Sequence, residues 1–155
     1  MTTDVPLPDP IPRPLDHLAL CGAGDAPALV VGERIMDYAA LNRRIGQLAA
    51  WLARSLAPGA RVASWLPKGE LACLLPLATA RAGLVHVPVN PVLRRAQVAH
   101  ILADSGAGLL IANAERLHAL EAADFGPADC AFDTDLAASG DIEPLPPSAR
   151  SKSVV

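Results

Sequence analysis

Apolar and polar positions along the 155 residues switch repeatedly between a period of two and a helical period, the pattern of alternating strands and helices. Ala28-Leu29-Val30-Val31, then Gly32-Glu33, then Arg34-Ile35-Met36 reads as a strand, a two-residue turn and a second short strand. Asp37 can cap the next helix, because its carboxylate can accept from the free N–H groups of a first turn. Leu41, Ile45, Leu48 and Leu52 recur at helical spacing and predict an amphipathic helix to about Leu56. Arg43, Arg44 and Arg54 fall off that stripe and are expected in solvent. Pro58-Gly59 ends the element.

The next cycle begins with Arg61 to Trp65 as a strand and Pro67-Lys68-Gly69 as a turn. Glu70 to Ala82 then predicts a helix apolar almost all round, hence buried on most sides, with Pro76 deleting a backbone donor and expected to kink it. Gly83 suits the left-handed residue past a helix end. In Leu84 to Val89 both faces are mostly apolar and Val85, Val87 and Val89 are β-branched, which predicts a central parallel strand. Asn90-Pro91 cannot continue the ladder and turns the chain. A helix over Arg94 to Asp104 follows, with Val98, Ile101 and Leu102 inward and Ser105-Gly106 closing it. Leu109 to Ala112 predicts a strand, Glu115 to Ala123 a helix and Cys130 to Asp133 a weak strand. The predicted fold is α/β: a layered sheet of mostly parallel strands with helices on both faces.

Three segments emerge: a proline-rich extended arm over 1–14, the α/β unit over 15–138, and a disordered tail or cut linker over 139–155. The arm alternates Pro6, Pro8, Pro10, Pro12 and Pro14 with other residues, and each proline pushes its predecessor out of the helical region. The tail has no apolar period.

Composition narrows the picture. Aromatics are 3% against 52% hydrophobic residues, so the core is aliphatic, which favours helices packed on a sheet. Charge is −3, from 13 basic and 16 acidic residues interspersed along the chain; no basic stripe exists to follow a nucleic-acid backbone. Cys21, Cys73 and Cys130 are far apart and lack C-x-x-C spacing, which predicts reduced, mostly buried thiols. The first residues show no signal-peptide pattern, and LACLLPLATA (71–80) is about half a membrane span. The expectation is a cytoplasmic protein without a membrane span or nucleic-acid partner.

Candidate chemistry is sparse. Gly22-Ala23-Gly24 precedes a strand instead of following one, so it reads as a turn and not a dinucleotide loop. No G-x-x-x-x-G-K-[ST] cradle occurs. His17, His86, His100 and His118 have no metal-ligand spacing, and Ser64, Ser105 and Ser139 lack a nucleophile elbow. Lys68 and Glu70 stand between a strand end and a helix start, and Asn90 ends another strand. Open α/β sheets bind ligands along that edge. The same two charges also read as a solvated pair near a helix N-terminus. No catalytic, cofactor-binding or metal-ligating position is assigned.

Four segments carry a family resemblance. MDYAAL resembles T-Y-x-E-L, LPKGEL resembles L-P-N-x-x-E, RAGLVHVPVNP resembles K-A-G-x-x-x-V-P-L-N-P, and QVAHILADSGAGLLI resembles E-L-x-Y-I-L-x-D-S-G-A-x-x-L-I. In this order they look like the N-terminal part of AMP-forming acyl-CoA synthetases, within the adenylate-forming superfamily, over about residues 14–113. The Asn-Pro-Val-Leu and Gln-Val-Ala-His-Ile-Leu wording is similar to acyl-CoA ligases encoded with exosortase systems. The resemblance implies a two-step reaction: ATP and a carboxylic acid, often a fatty acid, give an acyl-adenylate and pyrophosphate, and the coenzyme A thiol then displaces AMP. ATP, Mg²⁺ and coenzyme A are implied for the full-length family.

The family's Ser/Thr/Gly-rich phosphate loop ending in Pro-Lys, its ribose-binding Asp and its C-terminal catalytic lysine have no counterpart in this sequence. Lys68 and Lys152 stand in neither context. The expectation is therefore a truncated N-terminal ligase subdomain, inactive alone. The alternative is a non-catalytic interaction module or one half of a split ligase, with the missing C-terminal portion as partner. Two departures from the family are a first helix shortened around Cys21 to Gly24 and Pro76 inside the second.

Overall fold

The computed structural model describes residues 12–149. Pro6, Pro8 and Pro10 of the arm, and Lys152, lie outside the described residues. Strands β1 (Pro27–Val31) and β2 (Arg34–Asp37) form an antiparallel hairpin, turning at Gly32 with φ +59°, a left-handed value that favours glycine. The Asp37 carboxylate accepts from the Ala40 N–H at 2.7 Å and opens helix α1 (Tyr38–Ser55). Ile45, Leu48 and Leu52 of the predicted stripe are fully buried.

Four parallel strands form the main sheet: β3 (Arg61–Trp65), β4 (Val85–Pro88), β5 (Leu109–Ala112) and β6 (Asp129–Phe132), in the order β4-β3-β5-β6. Helix α1 and helix α2 (Glu70–Arg81) cover one face, over Val62, Leu109 and Ile111. Helices α3 (Arg95–Ser105) and α4 (Ala114–His118) cover the other, where Val98, Leu102 and Leu117 meet Ala63, Trp65 and Leu110. Alternate residues of one strand thus enter different cores, as the period of two requires. A fifth short helix, α5 (Asp133–Ala137), follows β6.

Several expectations need correction. The valine-rich strand is at the sheet edge, with Val85 47% exposed. Val85 N–H donates to Ala60 O and Val89 N–H to Ser64 O, both at 2.9 Å, so His86 and Pro88 turn their backbone away from β3. Proline has no donor to offer a further strand, and Pro88 blunts this edge. Pro76 lies inside α2, within the span Glu70–Arg81. The helix expected over Glu115 to Ala123 splits into α4, capped by Asn113 through Arg116 N–H at 3.0 Å, and a 3-10 turn at Ala122–Asp124. Arg95 pairs with both Glu121 and Asp124 and holds that turn against α3. All three cysteines are exposed and free, because none points into either core.

From Ser139 the described chain continues through residue 149. After a 3-10 turn at Ala138–Asp141 it runs back along α1, where Leu145 N–H donates to Gly46 O at 3.0 Å. Ser148 then donates its N–H to Asp16 at 2.9 Å, and the His17 ring contacts Ser148 O at 2.6 Å. Arg44, expected in solvent, is half-buried, donating to Ser139 Oγ at 2.7 Å and Leu136 O at 2.8 Å. Hydrogen bonds from its backbone to backbone and side-chain groups distant in sequence hold this strap, so no apolar period was needed.

Candidate functional site

The carboxyl ends of β3 and β4 open onto a groove of about 900 Å³ between α2 and the sheet edge. Its walls are mainly apolar: Leu15, Leu66, Ala72, Pro76, Leu84 and Val92 contribute. Among the described residues Lys68 is the only lysine or arginine on its lining, and no acidic residue lines it. Of the three residues expected on this edge, Lys68 and Asn90 reach the groove. Glu70 turns the other way, pairing with Arg34 of the hairpin at 3.3 Å. The helix start thus separates Lys68 from Glu70.

Asn90 shapes the turn at the end of β4. Its side-chain oxygen accepts from Val92 N–H at 3.1 Å, an Asx turn, while its carbonyl accepts from Leu93 N–H at 3.1 Å. Arg116 clamps the same turn from α4, donating to Pro91 O at 3.0 Å while its guanidinium lies 4.9 Å over the Trp65 ring. Nothing in the one-dimensional pattern pointed to Arg116.

On the groove floor Ser64 Oγ and His86 Nε2 share a hydrogen bond of 2.8 Å. Both residues had been set aside individually; adjacent parallel strands bring them together, Val62 pairing with His86 and Ser64 with Pro88. Burial pushes the His86 imidazole below its ordinary value, so it is neutral at pH 7. A hydroxyl on a neutral imidazole is the contact a nucleophile and its base make. However, no third side chain orients the ring, since Ser64 is its sole hydrogen-bond partner among the described residues. The pair is a cross-strand link that satisfies two polar groups in an apolar wall.

This link carries a pH signature. A histidine whose folded value is depressed binds fewer protons folded than unfolded between the two values, so stability falls as pH drops below about 6.5. Urea unfolding from pH 7.5 to 5 is expected to show that fall, and His86→Gln to flatten it. An equal slope in the variant would remove His86 as its source.

The remaining candidates stay apart. His100 and His118 are exposed on α3 and α4, while His17 holds the strap. The Gly22-Ala23-Gly24 segment is a turn: Ala26 N–H donates to Ala23 O at 2.9 Å, and a Cβ on Gly22 would lie 2.2 Å from the Tyr38 ring. Close packing of Tyr38, not a phosphate, accounts for that glycine. Among the described residues no three His, Cys, Asp or Glu side chains converge to hold a metal ion, and no helix is long and apolar enough to cross a membrane.

This arrangement, a short parallel sheet covered on both faces with its open edge at the strands' carboxyl ends, is the N-terminal α/β layer of adenylate-forming ligases. The model of the family described as "AMP-binding enzyme" matches residues 19–152. The salicyl-AMP ligase/salicyl-S-ArCP synthetase of Mycobacterium tuberculosis is 37% identical over 114 residues, 72% of this chain and 20% of its own. Among solved structures, a Mycobacterium tuberculosis fatty acyl CoA synthetase is 28% identical with a TM-score of 0.68, covering 77% of this chain and 25% of its own. ATP-bound MatB from Rhodopseudomonas palustris has a TM-score of 0.73 at 23% identity, covering 90% and 30%, and speaks for the fold alone. The chain belongs to the AMP-binding enzyme family, and it spans a fifth to a third of the length of these three relatives.

Proposed function

We propose that this chain is the N-terminal scaffold of an AMP-forming acyl-CoA ligase and does not form acyl-adenylates by itself. The observation that carries the reading is the family match over residues 19–152, combined with a span of only 20–30% of the three relatives' lengths. The phosphate-holding loop and the catalytic lysine that the family resemblance implies have no counterpart in the 155 residues. In the complete enzyme, ATP, Mg²⁺ and coenzyme A act on a small-molecule carboxylate; the resemblance extends this to the type encoded with exosortase systems, in the cytoplasm. Among the described residues no carboxylate lines the groove and Lys68 is its one lysine or arginine, so they offer Mg²⁺–triphosphate no anionic ligand there. No step of the reaction is therefore assigned to a residue here.

A second reading, half of a split ligase, draws support from the hairpin. Val30 and Ile35 are cross-strand partners, 62% and 68% exposed, and form an apolar pair that a partner could cover. Pyrophosphate exchange with the purified chain over a panel of fatty and aryl acids tests the main reading. We expect exchange at the no-enzyme background; ATP-dependent turnover by this chain would refute it. Activity that appears only when a separate C-terminal ligase chain is added would establish the second reading.

A further inference from the structure

We propose that the strap is a latch on the groove: its seating on Asp16 and His17 fixes the Leu15 wall, so strap docking and occupancy of the groove reinforce one another. The inference is independent of the ligase reading and uses only contacts among the described residues. Strap and groove meet in one short element, the N-terminal 3-10 helix (Leu15–Leu20). Leu15 lines the groove, and the next two residues hold the strap. Asp16 Oδ2 accepts from Ser148 N–H at 2.9 Å, and His17 Nε2 meets Ser148 O at 2.6 Å.

Apolar burial does little to seat this helix. Of its six residues only Asp16 and Ala19 are buried, while Leu15, Leu18 and Leu20 are 57%, 58% and 46% exposed. Its position therefore leans on the Asp16 carboxylate, whose Oδ2 is shared between Ser148 N–H and Arg81 Nε while Oδ1 has no partner. Arg81 ties the same node to the groove's other wall, since it belongs to α2, whose Ala72, Pro76, Thr79 and Ala80 line the groove. A Cβ at Gly46 would stand 3.3 Å from the Arg81 guanidinium and 2.7 Å from Leu145 O, so strap, α1 and α2 converge there. Lifting Ser148 takes one of two donors from a buried carboxylate and favours movement of the 3-10 helix toward water, Leu15 with it. A wall that has to be ordered again on binding weakens binding. By linkage, whatever the seated wall adds to binding in the groove, binding adds to the seating of the strap.

The test uses the dye anilinonaphthalene sulfonate, whose apolar rings and single sulfonate suit a mainly apolar groove with Lys68 on its lining. Its dissociation constant is read by NMR from the methyl signals of Leu66, Leu84 and Val92, which line the groove, so dye bound elsewhere does not enter. Ser148→Pro deletes the N–H that Asp16 receives. It is expected to weaken binding about two- to tenfold, the range of one net hydrogen bond. Amides of β3 and β5 should keep their exchange protection, which separates release of the strap from general loosening. Should the variant unfold, the unaltered chain decides: saturating dye should slow amide exchange at Leu145 and Ser148 by a similar factor. The proposal is overturned if Ser148→Pro binds the dye as tightly as the native chain, if the groove methyls do not respond to the dye, or if saturating dye leaves exchange at Leu145 and Ser148 unchanged. Weaker binding together with lost protection in β3 and β5 would also overturn it, assigning the effect to the core.

Discussion

Replacing Arg81 with alanine is expected to lower the unfolding free energy by about 3–5 kcal/mol, the cost of breaking a buried ion pair by removing one partner. The Arg81 side chain is 1% exposed and that of Asp16 0%, with Nε 3.0 Å from Oδ2. The rest of the guanidinium is spent on α1: one terminal nitrogen donates to Asn42 O at 3.0 Å and the other to Asn42 Oδ1 at 2.8 Å. One planar fork therefore joins α2, α1 and the N-terminal 3-10 helix (Leu15–Leu20), and Asp16 in turn receives the strap at Ser148. Truncation leaves a buried carboxylate whose Oδ1 already lacks a partner. Urea denaturation gives the loss; a change below about 1 kcal/mol would place the pair among exposed salt bridges. The double variant Asp16→Leu/Arg81→Met should recover much of the deficit, since apolar isosteres carry no unpaired charge.

The pH dependence follows from the same site. Burial raises the Asp16 carboxyl, but hydrogen bonds from Ser148 and Arg81, with the Arg81 charge, outweigh it and hold the group below the usual carboxylate value. A depressed carboxylate contributes stability above its unfolded value of about 3.9, and loses it as pH falls through the lower folded value. Without Arg81 the burial effect gains weight, so acid unfolding of the variant should begin at higher pH.

Leucine at Gly46 is the second large effect, expected to cost about 1–3 kcal/mol as overpacking. A Cβ at this position would lie 2.7 Å from Leu145 O and from Pro144 Cβ, and 3.3 Å from the Arg81 guanidinium. Glycine inside a helix is itself unfavourable by roughly 0.5–1 kcal/mol against alanine, so α1 sacrifices propensity to let the strap approach. The strap is expected to lift before α1 deforms, because hydrogen bonds at Leu145 and Ser148 hold it, while α1 is anchored by the fully buried Ile45, Leu48 and Leu52. Amide exchange at Leu145 and Ser148 should accelerate while amides of β3 and β5 keep their protection. Unchanged exchange at Leu145 would mean that the strap does not depend on this glycine.

The sequence-derived α/β architecture, its strand–helix alternation and the Asp37 cap all appear in the structure, because each is a local matter. A helical stripe such as Ile45, Leu48 and Leu52 has to be buried whatever covers it, and a carboxylate before a helix finds free N–H groups within three residues. The family resemblance was equally local, resting on short segments in order. The candidate edge was legible in part: Lys68 and Asn90 do line one groove, but Glu70 leaves it for Arg34.

What the residues could not announce were relations between distant positions. The apolar run Leu84 to Val89 satisfies a central and an edge strand alike; only Pro88 within it favoured the edge, through its missing donor. Ser64 meets His86, Arg116 clasps Pro91, and Arg81 finds Asp16 across 65 positions, none of them periodic. The strap after Ser139 has no apolar repeat because backbone groups hold it. Local order was set by the sequence alone, since propensity, capping and periodicity act within a few residues. Long-range polar pairing was decided by the tertiary structure, since it depends on which strands become neighbours and which side of the sheet each helix covers.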